Sequence, residues 1–469
     1  MPKTMHLDPG LVQQLRASIS GRLIVPGDDD YDRARAVAAD VDLRPAVIVR
    51  ASGTADVALA VRFSRETGFE LAVRSGGHSG AGHGSTDGGI LLDVASMKKL
   101  DVDVVARRAW AETGLTAGEL TNALAEHGLA VGFGDTGSVG IGGITLGGGV
   151  GYLVRKHGLT IDSLEAAEIV TADGQLLRVD AVSHPDLFWA LRGGGGNFGV
   201  VTRFRYRLHE VGTIVGGMLV LPATVETIAG FMAAAEAATD DLSTIANVMP
   251  APPMPFLAPE HHGKVIVMAL LAHAGDLAAG ERAIAPFRAL ATPLADMVRP
   301  MPYPEIYPPD DPDYHPLAVA RTMFMDQVGR NNAAAILAGL EASDASLRVA
   351  QLRTLGGAMA RVPADATAFA HRASRIMVNI AAFHDGTPED RARRLAWVED
   401  LCATLRQGDD GAYVNFLADE GDDRVRMAYP GDTWDRLVAV KRRYDPTNLF
   451  HRNQNIPPAA GTIPGGQSH

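Results

Sequence analysis

Short apolar runs alternate with amphipathic segments along the first part of the chain. Residues 45–50, 70–74 and 89–94 are apolar runs of the length expected for buried strands. Residues 54–67 carry apolar side chains at helical spacing, and Gly68 follows where glycine often ends a helix. This order predicts a strand–helix–strand unit within an α+β fold.

The same patterns continue beyond this unit. Residues 116–127, followed by Gly128, and residues 186–191 have the pattern of helices, and residues 200–208 alternate as in a strand. Residues 194–199 match the glycine pattern G-x-G-x-x-G, with a helix predicted before them and a strand after them. A dinucleotide-binding turn requires the strand first and the helix second. The order therefore argues against an NAD-binding protein.

Beyond about residue 211 the pattern predicts a sheet with helices packed on one face. The predicted strands are residues 219–222, 264–272 and 376–380. The predicted helices are residues 224–239, 277–285, 391–405 and 434–444. Residues 300–316 are rich in proline and contain Tyr303, Tyr307 and Tyr314. They predict an irregular loop that is either a surface connection or part of a substrate site.

Composition and charge narrow the function classes. With 469 residues the chain is long enough for two or three structural units. Lys and Arg number 43 and Asp and Glu 55, a net charge of −12 without a basic stripe, which argues against nucleic-acid binding. The single cysteine, Cys402, excludes an intramolecular disulfide framework and thiolate metal clusters. No signal peptide or membrane span is predicted, so we expect a cytoplasmic soluble protein.

Many of the 51 glycines lie in three clusters, at residues 76–84, 132–151 and 193–199. Glycine permits close backbone approach, and successive amides without side chains can face an anion. Flexible linkers are usually rich in serine and polar residues, whereas these clusters are flanked by predicted strands and helices. The clusters therefore predict a binding site rather than loose loops.

Motifs in these clusters and near the C-terminus resemble those of the berberine-bridge-enzyme-like FAD-linked oxidases. This family belongs to the vanillyl-alcohol oxidase, or p-cresol methylhydroxylase-type, superfamily. The motifs are RSGGH at 74–78, DTGSVGIGG at 135–143, GGGVG at 147–151, RKHGL at 155–159, DSL at 162–164, HPDLFWALRG at 184–193, NFGVVT at 197–202, YVNF at 413–416, DPTNLF at 445–450 and NQNIP at 453–457. They follow the family's order and span nearly the whole chain.

The resemblance implies an α+β protein with a two-part FAD-binding domain and an α/β substrate domain whose sheet is covered by helices. The FAD-binding domain would span residues 1–210, divided near residue 100, and the substrate-binding domain residues 211–410. Residues 411–469 would form a C-terminal segment that returns to the FAD-binding domain. We expect residues 459–469 to be disordered.

The resemblance also implies a cofactor site. It implies that FAD contacts Arg74, Ser75, Gly76, Gly77, His78, Ser79, Gly82, His83, Thr136, Gly137, Ser138, Val139, Gly140, Gly142, Gly143, Gly148, Gly149, Gly151, Val201, Asn415 and Asn453. The turn at residues 75–79, preceded by an arginine, can offer amides to the pyrophosphate. Backbone without side chains at residues 140–143 lets the chain lie against the flat isoalloxazine ring.

By resemblance, His78 is bonded to the flavin 8α carbon. Many relatives add a second bond from a cysteine, but Thr136 stands at that position and Cys402 falls in a predicted helix. We therefore predict covalent FAD attached through His78 only. His83 either lies near the flavin or caps the loop.

Tyr413 and Asn379 are the candidate catalytic residues. Asn379 falls where some plant relatives carry a catalytic carboxylate, and an amide cannot take a proton at neutral pH, so it is an orienting group or an ordinary strand residue. Tyr413 is then the best candidate base, or else a half-buried sheet residue. An unperturbed tyrosine has a pKa near ~10 and would need a cationic or hydrogen-bonding neighbour. If this segment is a strand, Asn415 shares a face with Tyr413.

The resemblance implies an oxidase that removes hydride from a C–H next to O or N and delivers it to flavin N5. Tyr413 or a water would take the proton, and dioxygen would reoxidise the flavin to give hydrogen peroxide. The residue at the position of Val139 is thought to control oxygen access in the family. The alternatives are a dehydrogenase with another acceptor and a non-catalytic flavoprotein that sequesters a ligand. The substrate would be a small molecule of alkaloid, sugar or polyketide type, with no nucleic-acid or membrane partner.

Overall fold

The first four strands of the chain form one sheet in the computed structural model, which describes residues 8–38, 41–309 and 317–458. The elements here are α1 (Pro9–Ser18), β1 (Arg22–Ile24), α2 (Tyr31–Arg35), β2 (Val47–Arg50), α3 (Thr54–Thr67), β3 (Leu71–Arg74) and β4 (Ile90–Asp93). The strand order is β1-β2-β4-β3, and β4 pairs in parallel with both β2 and β3. Gly68 ends α3 with a φ of 74°, a conformation that glycine adopts without a steric penalty. The predicted strand–helix–strand unit is confirmed.

A second sheet follows. Its region contains β5 (Leu100–Asp103), β6 (Arg108–Glu112), α4 (Ala117–Ala125), β7 (Leu129–Ala130), α5 (Ile141–Leu146), α6 (Val154–His157), β8 (Leu164–Val170), β9 (Leu176–Asp180), α7 (Pro185–Leu191), β10 (Val200–Arg207) and β11 (His209–Glu210). The sheet is antiparallel in the order β5-β6-β10-β8-β9, and β7 pairs separately with β11. The predicted helix and strand on either side of residues 194–199 are confirmed as α7 and β10.

The third and largest sheet lies in the second half of the chain. This region contains β12 (Thr213–Pro222), α8 (Val225–Ala237), β13 (Leu242–Pro250), β14 (Val265–His273), α9 (Leu277–Arg288), β15 (Ala295–Asp296), β16 (Arg299–Pro302), β17 (Ala318–Met325), α10 (Arg330–Ala342), β18 (Arg348–Thr354), α11 (Ala358–Arg361), β19 (Ile376–Phe383) and α12 (Pro388–Leu405). The order is β15-β12-β14-β13-β18-β19-β17, with β16 also paired to β12. Two further helices, α13 (Asp422–Met427) and α14 (Asp432–Tyr444), complete the described chain.

Alternation along the strands gives the third sheet two different faces. On β18, Ala350 and Leu352 belong to the core formed with helices α8, α9, α10 and α12. Gln351 and Arg353 alternate with these two residues along the strand, so their side chains point to the opposite face. The predicted fold of a sheet covered by helices on one face is confirmed, and its other face is left for a binding site.

Two local expectations differ in part from the structure. Residues 300–316 are not irregular from their start, because β16 pairs with β12 and a 3-10 turn follows at Tyr303–Ile306. Tyr303 is buried there, and Tyr314 lies outside the described residues. Residues 414–416 form a 3-10 turn rather than a strand after Tyr413, which therefore is not a sheet residue. The predicted disorder of residues 459–469 also lies outside the described chain.

A buried ion pair holds the C-terminal segment in place. The Lys441 ammonium donates to Asp445 Oδ2 at 2.7 Å, to Asn197 O at 2.8 Å and to Phe450 O at 2.9 Å. Asn197 in turn accepts from the amide of Ile456 at 2.9 Å. These bonds bring the last described residues against the third glycine cluster. The domain boundaries expected from the sequence remain predictions.

Candidate active site

A cavity of about 530 Å³ lies where the first two sheets, the third sheet and the C-terminal segment meet. Ligand pockets are commonly of this size. The cavity is lined by these predicted site residues: Arg74, Ser75, Gly76, Gly77, His78, Ser79, His83, Thr136, Val139, Gly140, Gly142, Gly143, Val201, Asn379, Tyr413, Asn415 and Asn453. The structure thus brings together residues from distant parts of the chain.

The other predicted site residues pack against protein instead. They are Gly82, Gly137, Ser138, Gly148, Gly149 and Gly151, none of which is among the lining residues. A Cβ on Gly151 would overlap the carbonyl oxygen of Phe133, and one on Gly137 would lie 3.6 Å from Tyr307 Cβ. These glycines therefore let the cavity wall pack closely from behind.

The first two glycine clusters touch each other through their backbones. A Cβ on Gly76 would overlap the amide nitrogen of Gly140, and a Cβ on Gly140 would overlap Ser75 Oγ. Ser75 Oγ donates to the carbonyl of Thr113 at 2.6 Å, which secures the turn. Glycine is required at both contacts because any side chain would push the clusters apart.

The start of α4 positions the second cluster. Thr116 caps the helix, since its Oγ1 accepts from the amide of Glu119 at 3.2 Å while Glu119 Oε2 accepts from the amide of Thr116 at 2.8 Å. The amides of Ala117 and Gly118 donate to the carbonyls of Val139 and Gly137, respectively, both at 2.8 Å. The cap therefore fixes the segment that carries Thr136 and Val139 into the cavity wall.

The guanidinium of Arg74 is bound by other groups of the protein. Its guanidinium lies 2.9 Å from Asp93 Oδ2, donates to the carbonyl of Ala36 at 2.9 Å and also bonds the carbonyl of Ala34. The side chain is 9% exposed. The guanidinium is thus held by these partners, and we expect the amides of the following turn to be the main donors for an anion.

Tyr413 is held by two N–H groups. Its hydroxyl oxygen accepts from the amide of Gly149 and from Asn415 Nδ2, each at 2.9 Å. Burial raises the pKa of Tyr413, and this outweighs the lowering effect of the two hydrogen bonds and of the Arg353 charge. The phenol is therefore neutral at physiological pH, although the neighbours that the sequence analysis required are present.

Gly147 begins the GGGVG motif but was not among the predicted site residues. A Cβ at this position would overlap the side-chain amide of Asn415, which also donates to the carbonyl of Ile144 at 3.1 Å. Gly148 has a φ of +131°, and its Cβ would lie 3.4 Å from the ring of Tyr413. The motif GGGVG at 147–151 therefore accommodates Tyr413 and Asn415 as well as turning the chain.

A polar row crosses the cavity face of the third sheet. Asn247, Gln351, Asn379 and Thr322 are directly opposite one another on β13, β18, β19 and β17. Gln351 Nε2 donates to Asn247 Oδ1 at 2.8 Å. Asn379 Oδ1 is buried without a hydrogen-bond partner among the described residues. Asn379 is therefore able to accept a hydrogen bond from a ligand.

Asp135 and Arg353 are the other residues that sequence reasoning missed. Arg353 Nη2 donates to Asp135 Oδ2 at 2.6 Å, and both residues line the cavity. The signal was available in part, because Asp135 begins the DTGSVGIGG motif. Their contact joins the second glycine cluster to the third sheet.

The residues around the cavity fit FAD. Gly76, Gly77, Gly140, Gly142 and Gly143 expose backbone on the cavity wall, which suits a pyrophosphate and a flat ring. Asn453 lines the cavity, and its Oδ1 is buried without a partner within the described chain, so it can accept from a ligand hydroxyl or amine. His83 lines the cavity too; burial, the main cause, and the Arg452 charge lower its pKa to about 4.

Two other kinds of site find no support. Within residues 8–38, 41–309 and 317–458, no group of three or more His, Cys, Asp or Glu side chains is arranged to hold a metal ion. In the same part of the chain, none of the helices has the length and apolar character needed to span a membrane.

The fold and the cavity define an FAD-linked oxidoreductase, and comparisons with known proteins agree. The family model described as "FAD binding domain" matches residues 45–180, and the model described as "Berberine and berberine like" matches residues 412–457. (R)-6-hydroxynicotine oxidase of Paenarthrobacter nicotinovorans is 31% identical over 459 residues, covering 94% of this chain and 97% of that protein. An FAD-linked oxidoreductase of Dictyostelium discoideum is 30% identical, covering 96% and 97%.

Solved structures give the same result. The crystal structure of 6-hydroxy-D-nicotine oxidase from Arthrobacter nicotinovorans matches with a TM-score of 0.82 and 28% identity, covering 94% of this chain and 98% of that one. The C166A variant of berberine bridge enzyme matches in fold, with a TM-score of 0.83, 22% identity and coverage of 96% and 100%. The chain belongs to the berberine-bridge-enzyme-like FAD-linked oxidases. The predicted family, fold class and enzyme class are confirmed, and FAD is the cofactor of this family's domain.

Proposed function

We propose that the protein oxidises a small molecule by removing hydride from a C–H bond next to oxygen or nitrogen. When bound, FAD supplies the two-electron acceptor at N5 and passes the electrons to dioxygen, giving hydrogen peroxide. The observation that supports this is the convergence of Tyr413, Asn379 and His78 on one cavity whose wall includes glycines of all three clusters. The polar groups would orient a substrate against the flat cofactor.

We propose covalent attachment of FAD through His78 alone. His78 is exposed on the cavity wall, so its imidazole is accessible to a bound cofactor. Thr136 lines the same cavity at the position where relatives carry a second, cysteinyl bond. Cys402 lies in α12 within the core of the third sheet, and burial raises the pKa of its thiol to about 12. That thiol is therefore unsuited to forming a second bond.

Other residues would hold the cofactor without bonding to it. We propose that the amides of residues 75–79 face the pyrophosphate, and that Gly140, Gly142 and Gly143 lie against the ring. Asn415, anchored to Ile144 O and Tyr413, would contact the flavin, and Asn453 would accept from a polar part of the cofactor. Together these contacts would orient FAD and exclude water from its reactive face.

Two alternatives remain in the same cavity. A dehydrogenase would pass its electrons to an acceptor other than dioxygen, and a sequestering flavoprotein would bind a ligand without turnover. Val139 favours the oxidase, because a small side chain on the cavity wall leaves room for dioxygen. Stopped-flow mixing of reduced holoenzyme with dioxygen separates an oxidase from a dehydrogenase by the rate at which the flavin absorbance returns.

A panel of donors tests the proposed function. Relatives are named for acting on 6-hydroxynicotine and glucooligosaccharides, and solved neighbours are described with xylobiose or as a reticuline dehydrogenase. We would mix the holoenzyme anaerobically with these compounds and with a glycosylated polyketide alcohol. Loss of oxidised-flavin absorbance with at least one donor is expected. A holoenzyme that no donor reduces would contradict the proposal and favour sequestration.

A further inference from the structure

Asp135 is the one carboxylate among the described residues that line the cavity. Its Oδ2 accepts from Arg353 Nη2 at 2.6 Å, whereas its Oδ1 has no hydrogen-bond donor within the described part of the chain. An ionised carboxylate only accepts hydrogen bonds. The cavity therefore contains an oriented oxygen that is able to receive a proton.

The partner of Asp135 is fixed by the sheet behind it. Arg353 Nε donates to Gln351 Oε1 at 2.9 Å, and Gln351 is anchored to Asn247 on β13. The guanidinium also lies 5.1 Å from the ring centroid of Phe416. Only 5% of the Arg353 side chain is exposed, against 22% for Asp135. The arginine is thus an internal support, and the carboxylate is the more accessible member of the pair.

Tyr413 is differently placed for proton transfer. Its oxygen already accepts two N–H bonds, from Gly149 and Asn415, so the remaining direction is that of its own proton. A phenol in this arrangement can donate a hydrogen bond to a ligand, but its oxygen has no lone pair left to accept another. Tyr413 is close to the pair, because Phe416 packs 5.2 Å from its ring. Asp135 and Tyr413 also line the same cavity.

We propose that Asp135 is a further catalytic residue, which takes the proton that the substrate loses during oxidation, and that Arg353 is its positioning residue. This inference rests on the proposed function. The substrate O–H or N–H bond breaks and a new O–H bond forms at Asp135 Oδ1. The electron pair of the neighbouring C–H bond leaves as hydride to FAD, and a C=O or C=N bond forms. The proton passes to solvent when the product leaves.

Other ionisable groups face this pair. Arg353 donates a hydrogen bond to Asp135 Oδ2. Burial raises the pKa of Tyr152, of Tyr307 and of Tyr413. The Asp135 charge also contributes to raising the pKa of Tyr152 and of Tyr307, so both phenols are near it. His83 and His78 are further groups on the cavity wall. Variants are therefore needed to show which of these groups takes the proton.

Asp135→Asn tests the proposal, because the amide keeps the shape and the bond to Arg353 but cannot take a proton. With the donor that reduces wild-type holoenzyme fastest in the panel, we expect flavin reduction to slow by about 100-fold or more, the usual contribution of a general base. The acidic limb of the wild-type pH profile should disappear. Asp101→Asn, which changes an exposed carboxylate on β5, is the matched control and should match wild type.

Arg353→Gln separates positioning from a structural role. Loss of the cation makes the ionised form of the adjacent carboxylate less favourable, so the acidic limb should move to higher pH. A purely structural role would lower the rate without moving the limb. As a readout independent of turnover, we would titrate the absorbance spectrum of the oxidised holoenzyme with pH. We expect a spectral transition whose midpoint pH is higher in Arg353→Gln than in wild type and which is absent in Asp135→Asn.

The contrary results are distinct. If Asp135→Asn, with normal FAD content and melting temperature, is reduced at the wild-type rate with the acidic limb intact, the proposal fails and the proposed function survives. A limb that disappears in Tyr413→Phe and persists in Asp135→Asn would assign the proton to the tyrosine. If no donor in the panel reduces wild type, the proposed function fails and this inference fails with it.

Discussion

The ammonium of Lys441 lies 2.7 Å from the carboxylate of Asp445, and both side chains are fully buried. Burial lowers the pKa of Lys441, and the Asp445 charge opposes this shift. The pair also bonds the backbone of Asn197 and Phe450, so it connects α14 to both the third glycine cluster and the C-terminal segment. The cavity wall at Asn453 and Gln454 depends on this connection.

Lys441→Met should destabilise the protein by about 3–5 kcal/mol, because it leaves a buried carboxylate without its cation. Chemical unfolding followed by circular dichroism measures the loss. Arg406→Met is the control, since it breaks an exposed i,i+4 pair with Asp410 and should cost less than about 1 kcal/mol. Equal effects of the two variants would show that the buried pair has no special role.

His78→Ala should release the flavin from the polypeptide. After acid denaturation and filtration, we expect the yellow colour to stay with wild-type protein and to pass through the filter for the variant. His83→Ala is the control, because His83 also lines the cavity and is not expected to carry the bond. Colour that passes through with the wild type, or intact-protein mass spectrometry without a flavin adduct, would contradict covalent attachment.

Val139→Leu should slow the reoxidation of the reduced flavin by dioxygen. The carbonyl of Val139 is fixed by the amide of Ala117 at 2.8 Å, so the longer side chain cannot be accommodated by moving the backbone. Stopped-flow absorbance measures the rate, and anaerobic flavin reduction by substrate serves as the internal control. Unchanged reoxidation would remove this role from Val139.

Gly147→Ala should destabilise the protein by about 1–3 kcal/mol, because the added Cβ overlaps the Asn415 side chain. Displacement of Asn415 would also remove a hydrogen bond from Tyr413. Gly143→Ala is the matched control within α5, since a Cβ there meets nothing within 4 Å. Gly143→Ala apoprotein should have the same melting temperature as wild-type apoprotein. It should bind FAD more weakly, because the added methyl group lies on the cavity wall. Similar stability of both variants would contradict the packing argument.

Stability should fall on acidification because of the stacked pair His157 and His209. Their ring centroids are 4.0 Å apart. Burial lowers the pKa of His157 to about 4, with smaller contributions from the Lys156 and Arg207 charges. Burial likewise lowers the pKa of His209 to about 3, with smaller contributions from His157 and then Arg207. Both folded-state pKa values lie below the unfolded value near ~6.5, so the unfolded state binds more protons as the pH falls below it.

The loss should begin below about pH 6.5 and grow as the pH falls toward about 3. Denaturant midpoints measured near neutral pH and at acid pH give the dependence. His157→Gln should show a smaller dependence than wild type, and His127→Gln, which changes an exposed histidine, should show the same dependence. An equal slope in wild type and His157→Gln would contradict the assignment.

Local chemistry determined much of the fold. The helix from Thr54 to Thr67 and its glycine cap agree with the prediction because apolar spacing and a positive-φ glycine act within a few residues. The glycine clusters predicted a binding site for the same reason, since the lack of side chains is a property of the sequence itself. Motif order along the chain was enough to indicate the family.

The tertiary structure decided what the sequence left open. Asp135 and Arg353 are 218 residues apart, and no local pattern could show that they form an ion pair in the cavity. Tyr413 and Asn415 meet through a 3-10 turn rather than a strand, and Gly147 is needed only because Asn415 packs on it. Contacts of this kind depend on how distant segments pack, so the sequence determined the glycine-rich backbone and its family, and only packing determined the polar groups that face the cavity.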